Sequence, residues 1–190
     1  FLLFLLSIAL CLAISLGLKV VMWSLGGLVL TIIYPFCKRF IKSPQVILGL
    51  TFSWSIPMAY VACGSEFNLS MFFLWVGVLI WIVVYDTFYA LVDIDDDLKT
   101  GVFSTAILFG DKVSFVTSLS QIIVLVVWAY LGTISEMSLI YFLMLIVVLL
   151  LFYRQQLLIS ARKKKDCFRA FNESWYVGFF HFLGIFLSLS

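Results

Sequence analysis

Seven apolar runs, at about residues 1–17, 20–37, 45–63, 69–90, 113–132, 137–157 and 175–189, take up most of the chain. Runs of this kind cross the roughly 30 Å hydrocarbon core of a bilayer as helices. They lack the strict polar–apolar alternation of barrel strands. With 64% hydrophobic and only 12% charged residues, a soluble domain of this size would have nowhere to hide its apolar surface. The sequence therefore predicts an all-α, polytopic transmembrane helix bundle with seven spans. It forms one membrane domain, residues 1–190, with the lipid bilayer as its solvent and no soluble domain. Pro57, inside the third run, should kink that span.

The polar residues between the runs set an orientation. Lys38, Arg39 and Lys42 follow the second run, Lys99 and Lys112 follow the fourth, and Arg162 to Lys165 with Arg169 follow the sixth. Alternating spans place all of them on one side, leaving Lys19 as the only basic residue of the other side. The positive-inside rule makes the charged side cytoplasmic and puts Ser190 on the far side. The first run has no basic leader and no cleavage signature, so it is not a secretory signal. The chain starts at Phe1 with an apolar run, and is expected to be the C-terminal part of a longer protein.

Directly after the fourth run, five carboxylates fall within twelve residues, from Asp86 to Asp97. On a helix, at about 100° per residue, Asp86, Asp93 and Asp97 lie within about 40° of one another, and Asp95 points the other way. Like charges on one face at the membrane edge repel unless a cation compensates them. Such an oxygen-rich anionic row suits Mg²⁺ carrying a phosphorylated substrate; the plainer alternative is a solvated acidic loop.

The segment Tyr34-Pro35-Phe36-Cys37-Lys38-Arg39 ends the second run on the same side. Tyr34 and Lys38 are four residues apart and share a helical face. Lys38 and Arg39 can neutralise a diphosphate, with Tyr34 adding a hydrogen bond, or can simply snorkel and set topology. Facing an acidic Mg²⁺ site, they fit the diphosphate better. The stretch from Lys99 to Lys112, with Gly101, Ser104, Thr105 and Gly110, predicts a loop with a short helical piece, either a lid over the cytoplasmic mouth or a plain connection. The basic run Arg162 to Lys165 is expected to anchor to lipid headgroups, and His181 to be packed rather than catalytic. Cys11, Cys37, Cys63 and Cys167 show no metal-ligand spacing and no pairing signal. No phosphate-binding glycine loop, hydrolase triad or nucleic-acid signature is present.

The segment YDTFYALVDIDDDLKTGVFSTAILFG, Tyr85 to Gly110, closely resembles the second aspartate-rich motif of the UbiA superfamily of intramembrane prenyltransferases, nearest to the bacterial branch that prenylates 4-hydroxybenzoate in ubiquinone synthesis. Tyr34 to Lys38 resembles that family's YxxxK element. Pro44 to Gly49, Trp54 to Ala59 and Asp166 to Asn172 look like the same branch, so the resemblance runs over essentially the whole chain. The family has nine spans and a further motif, NDxxDxxxD, after the second. This chain lacks that motif and resembles spans three to nine.

The resemblance implies electrophilic aromatic prenylation from a polyprenyl diphosphate to the ring of 4-hydroxybenzoate, ortho to its hydroxyl. The site would face the cytoplasm from a bacterial inner membrane. It implies Asp93 and Asp97 as Mg²⁺ ligands, Lys38 and Tyr34 at the diphosphate, Asp86 tuning the metal site or positioning the acceptor, and Arg39 at the acceptor carboxylate. With one of two acidic motifs, residues 1–190 alone are expected to insert into a membrane but not to catalyse. The alternatives are a prenyltransferase of the same superfamily with another acceptor, and a cation-coupled transporter. A transporter would place its acids near the midplane within repeated halves, and neither feature is seen.

Overall fold

A computed structural model describes residues 1–189; Ser190, expected on the far side, lies outside the described residues. Every element among them is helical. In chain order they are α1 (Leu2–Ser15), α2 (Leu18–Cys37), α3 (Pro44–Ser53), α4 (Ser55–Ala62), α5 (Leu69–Thr100), α6 (Thr105–Phe109), a 3₁₀ turn (Gly110–Lys112), α7 (Val113–Ile134), α8 (Leu139–Ser160), α9 (Lys164–Asn172) and α10 (Ser174–Leu189). The seven apolar runs map onto α1, α2, α3–α4, α5, α7, α8 and α10. Five helical stretches are long and apolar enough to cross a membrane, those of α2, α3–α4, α5, α6–α7 and α8. Helices α1 and α10 are apolar throughout but shorter, at 14 and 16 residues.

One expectation from the sequence is met and one needs correcting. The third span is broken at Trp54, between α3 and α4, as the kink expected from Pro57 requires. A proline ring displaces the carbonyl four residues earlier, which here belongs to Ser53, so the break falls there. The fourth span does not end near residue 90, because α5 continues to Thr100. Hydropathy falls at Asp93, but a helix does not need apolar residues once it leaves the bilayer. Asn68 caps its start, its side chain accepting from the Met71 N–H at 2.8 Å. Gly101 ends it in the left-handed conformation, at φ 67°. At 1.5 Å per residue, these 32 residues run for about 48 Å, well beyond a hydrocarbon core of about 30 Å. The acidic end of α5 therefore stands clear of the lipid tails.

Helix α5 is the central post, packed against α3, α7 and α9. Gly77 opens a notch on it for α7: a Cβ there would lie 3.1 Å from Trp128 Nε1 and 3.2 Å from Val127 Cγ1. Helices α7 and α8 are joined by buried amides. Gln121 donates to Gln155 Oε1 at 2.8 Å, and Gln156 donates to Gln121 Oε1 at 2.8 Å. Gln155 also donates to Ser174 Oγ at 3.0 Å, tying in α10. Inside a bilayer such interhelical bonds replace the hydration each amide has lost. By contrast, α1 buries only Ala13.

Candidate active site at the charged end

Asp86, Asp93 and Asp97 line a single small cavity of about 80 Å³, together with Tyr34, Lys38, Gln45, Tyr89 and Ala90. The stripe follows from helix geometry, since residues 86, 89/90, 93 and 97 recur on one face of α5. All three stripe carboxylates are half-buried, whereas Asp95 and Asp96 are exposed. Asp95 turns away to Lys164 of α9 at 2.9 Å, and Asp96 pairs with Lys99 at 3.2 Å. The acidic segment is thus helix, not loop, and its faces divide as the spacing predicts.

The opposite wall comes from α2, whose last turn presents Tyr34 and Lys38 to the cavity. The Lys38 ammonium acts electrostatically on both Asp86 and Asp97. One ammonium against three carboxylates leaves the cavity with an excess of negative charge. No three carboxylate, histidine or cysteine side chains among the described residues stand close enough to hold a metal ion unaided. Carboxylates are the donor type that hard divalent ions take, and these three line one cavity without forming a metal cage by themselves. Arg39 sits in the exposed turn after α2, next to the cavity wall but not part of its lining.

The segment after α5 is pinned rather than free. The Phe103 N–H donates to the Lys38 carbonyl at 2.9 Å. The Thr105 N–H donates to Gln45 Oε1 at 2.9 Å, and the Thr105 and Thr87 hydroxyls pair at 2.7 Å. Ser104 caps α6 through the Ile107 N–H at 3.4 Å. Arg162 donates to the Gly110 carbonyl at 2.9 Å and pairs with Asp111 at 3.3 Å. The stretch is a loop with a short helical piece, as its residues predict, and these bonds favour the plain connection of the two readings.

Two members of the exposed basic run also have partners within the protein. Arg162 holds the 3₁₀ turn and Lys164 holds Asp95. Arg154 and Arg169 share Glu173 at 2.7 and 2.8 Å. That double partnership holds the Glu173 carboxyl below the usual range, the Arg154 hydrogen bond being the main cause. The bond to Asp95 likewise raises the Lys164 ammonium.

Beside the cavity lies a recess of about 400 Å³ lined by Trp81, Tyr85, Phe171 and Trp175 with Asn172 and Ser174. Tyr89 links the two spaces, since it lines the acidic cavity and packs on Phe171 at 5.1 Å between ring centroids. The sequence reading overlooked Gln45, Thr87 and Thr105. Only Gln45 carried a visible signal, as a lone amide at the start of an apolar run.

The class of protein is that of a many-helix membrane bundle with a carboxylate stripe facing a tyrosine–lysine wall at its charged end. The chain belongs to the UbiA prenyltransferase family, whose match covers residues 1–184. It is 44% identical over 185 residues to a 4-hydroxybenzoate octaprenyltransferase of Edwardsiella ictaluri, covering 97% of this chain and 64% of that protein. With the enzyme of the same name from Tolumonas auensis it shares 43% identity over 188 residues, covering 99% and 66%. The chain thus spans about two thirds of the length of these relatives. The fold is also that of a UbiA homologue from Aeropyrum pernix in its apo structure, at TM-score 0.75 and 19% identity, over 94% of this chain and 67% of that one. A digeranylgeranylglyceryl phosphate synthase shares it as well, at TM-score 0.73 and 16% identity, over 97% and 66%.

Proposed function

We propose that this protein transfers a polyprenyl group from polyprenyl diphosphate to 4-hydroxybenzoate, ortho to the hydroxyl, in ubiquinone biosynthesis and with Mg²⁺. The observation that carries this reading is the convergence of Asp86, Asp93 and Asp97 with Tyr34 and Lys38 on one cavity. The relatives' names supply the acceptor and the reaction class.

In this reading Asp93 and Asp97 would hold Mg²⁺. The ion supplies Lewis-acid stabilisation of charge on the diphosphate. Lys38 and Tyr34 bind the same group from the α2 wall, where an ammonium and a hydroxyl oppose charge that grows as the allylic C–O bond breaks. Asp86, deeper in the stripe, positions the acceptor or tunes the metal site. Arg39 meets the acceptor carboxylate from the rim. The aromatic faces of Tyr89 and the neighbouring recess suit an allylic cation and keep water from it. The basic residues at the cavity end make that end cytoplasmic by the positive-inside rule, with the protein in a bacterial inner membrane.

The assay is product formation in membranes carrying the full protein, with polyprenyl diphosphate and 4-hydroxybenzoate. Prenylated hydroxybenzoate should form with Mg²⁺ and cease with EDTA. Turnover of a naphthoate or lipid-alcohol acceptor in preference to 4-hydroxybenzoate would reassign the acceptor. Cation uptake without any prenyl donor would point to a transporter instead.

A further inference from the structure

Gln45 is the second residue of α3 and is 3% exposed, yet it lines the acidic cavity. Its orientation follows from its partner. The Thr105 N–H can only donate, so the atom facing it at 2.9 Å is the amide oxygen. Thr105 is held in turn by Thr87, the neighbour of Asp86 on α5, through the 2.7 Å hydroxyl pair. With its oxygen committed on that side, the amide must present its NH₂ to the other. That group has no hydrogen bond among the described residues. Gln45 lines the cavity and its NH₂ is not one of the sealed-off donors of the described residues, so a ligand entering the cavity meets a donor that the protein has already oriented.

We propose that the Gln45 NH₂ is a binding donor for the diphosphate of the prenyl substrate, an inference that rests on the function proposed above. The group sits among Lys38, Tyr34, Asp86, Asp93 and Asp97, where a diphosphate would lie between the metal-binding carboxylates and the lysine. A neutral donor suits that place. A second cation would pair with Asp93 or Asp97 and compete with the metal, whereas an amide donates to a phosphate oxygen without altering the charge balance. Its rigidity comes from Thr105 and Thr87, so three segments distant in sequence, α3, α5 and α6, fix one donor.

Two substitutions separate binding from architecture. Gln45→Glu keeps an oxygen for the Thr105 N–H, removes the donor and adds a charge; Gln45→Met removes donor and oxygen but adds no charge, so only a loss that both variants share is assigned to the donor. The probe is a non-ionising polyprenyl thiolodiphosphate bound to the full protein in membranes at saturating Mg²⁺, with melting temperature and both substrate KM values measured alongside. Both variants should stay folded, Gln45→Met melting lower by the lost Thr105 bond and Gln45→Glu by the added charge. Both variants should bind the probe at least tenfold more weakly and raise the donor KM, with the acceptor KM unchanged. Unchanged probe affinity at saturating Mg²⁺, with only the Mg²⁺ requirement raised, would mean that the amide orients a carboxylate, and would overturn the proposal. A folded wild type that binds no probe would overturn the diphosphate reading itself, and this inference with it.

Discussion

The two ends of the bundle differ in the charge of their polar clusters. At the far end, the Tyr141 hydroxyl donates to the Trp128 carbonyl at 2.8 Å and lies 3.2 Å from His181 Nε2. The His181 ring stacks on Trp128 with centroids 3.7 Å apart. The hydroxyl and the imidazole find partners within the protein, while the buried Trp128 indole N–H has none among the described residues. At the charged end, three half-buried carboxylates share one lysine and a buried amide keeps a donor open. The far end holds neutral rings packed on one another, while the charged end holds more carboxylates than its one lysine can neutralise. The His181 cluster is therefore architecture, as its sequence context predicts.

That contrast can be broken most sharply at the carboxylates. Asp93→Ala or Asp97→Ala should lower prenyl transfer by several kcal/mol in the barrier, more than a hundredfold in rate, with little change in melting. Rates near wild type for both would show that the stripe is only a solvated face. The mirror experiment is Gly132→Val at the far end. A side chain there collides with the Tyr141 ring, which its bond to Trp128 holds in place. Overpacking of this kind costs about 1–3 kcal/mol, so thermal unfolding should begin at a lower temperature while the donor KM is kept. If stability held and the KM moved, the two ends would be coupled rather than distinct.

Smaller effects refine the boundary. Asp95→Ala removes an exposed pair with Lys164, worth less than about 1 kcal/mol, and transfer should stay within about threefold of wild type. A loss equal to that of Asp97→Ala would remove the division of α5 into two faces. The smallest effect concerns pH. The folded-state Glu173 carboxyl titrates below its ordinary value, so its pairing adds stability above the usual carboxylate range. That contribution is lost as pH falls through the lowered value. Melting curves of wild type and Glu173→Gln should differ at neutral pH and converge in acid.

Local spacing made much of this legible. The seven runs gave the helices, and angular arithmetic alone separated Asp86, Asp93 and Asp97 from Asp95. Tyr34 and Lys38 were found because four residues is one helical neighbour. What escaped depends on distant segments meeting. Gln45 and Thr105 are bonded across 60 positions, and no periodicity reports such a contact. Arg162 and Lys164 looked like free basic residues because their partners, on the 3₁₀ turn and on α5, are far off in sequence. The end of α5 was misplaced for a different reason: hydropathy marks where lipid stops, whereas Gly101 marks where the helix stops.

The unbroken course of α5 has a consequence for the kinds of change it tolerates. Its packing notch at Gly77 and its first site carboxylate at Asp86 lie on one rigid rod, about 14 Å apart along the axis at 1.5 Å per residue. They are locked in phase. Exchanging one apolar residue for another between them leaves that phase intact. Deleting a single residue there would rotate the carboxylates by about 100° relative to Trp128 and swing them away from Lys38. In this stretch the number of residues is constrained more tightly than their identity.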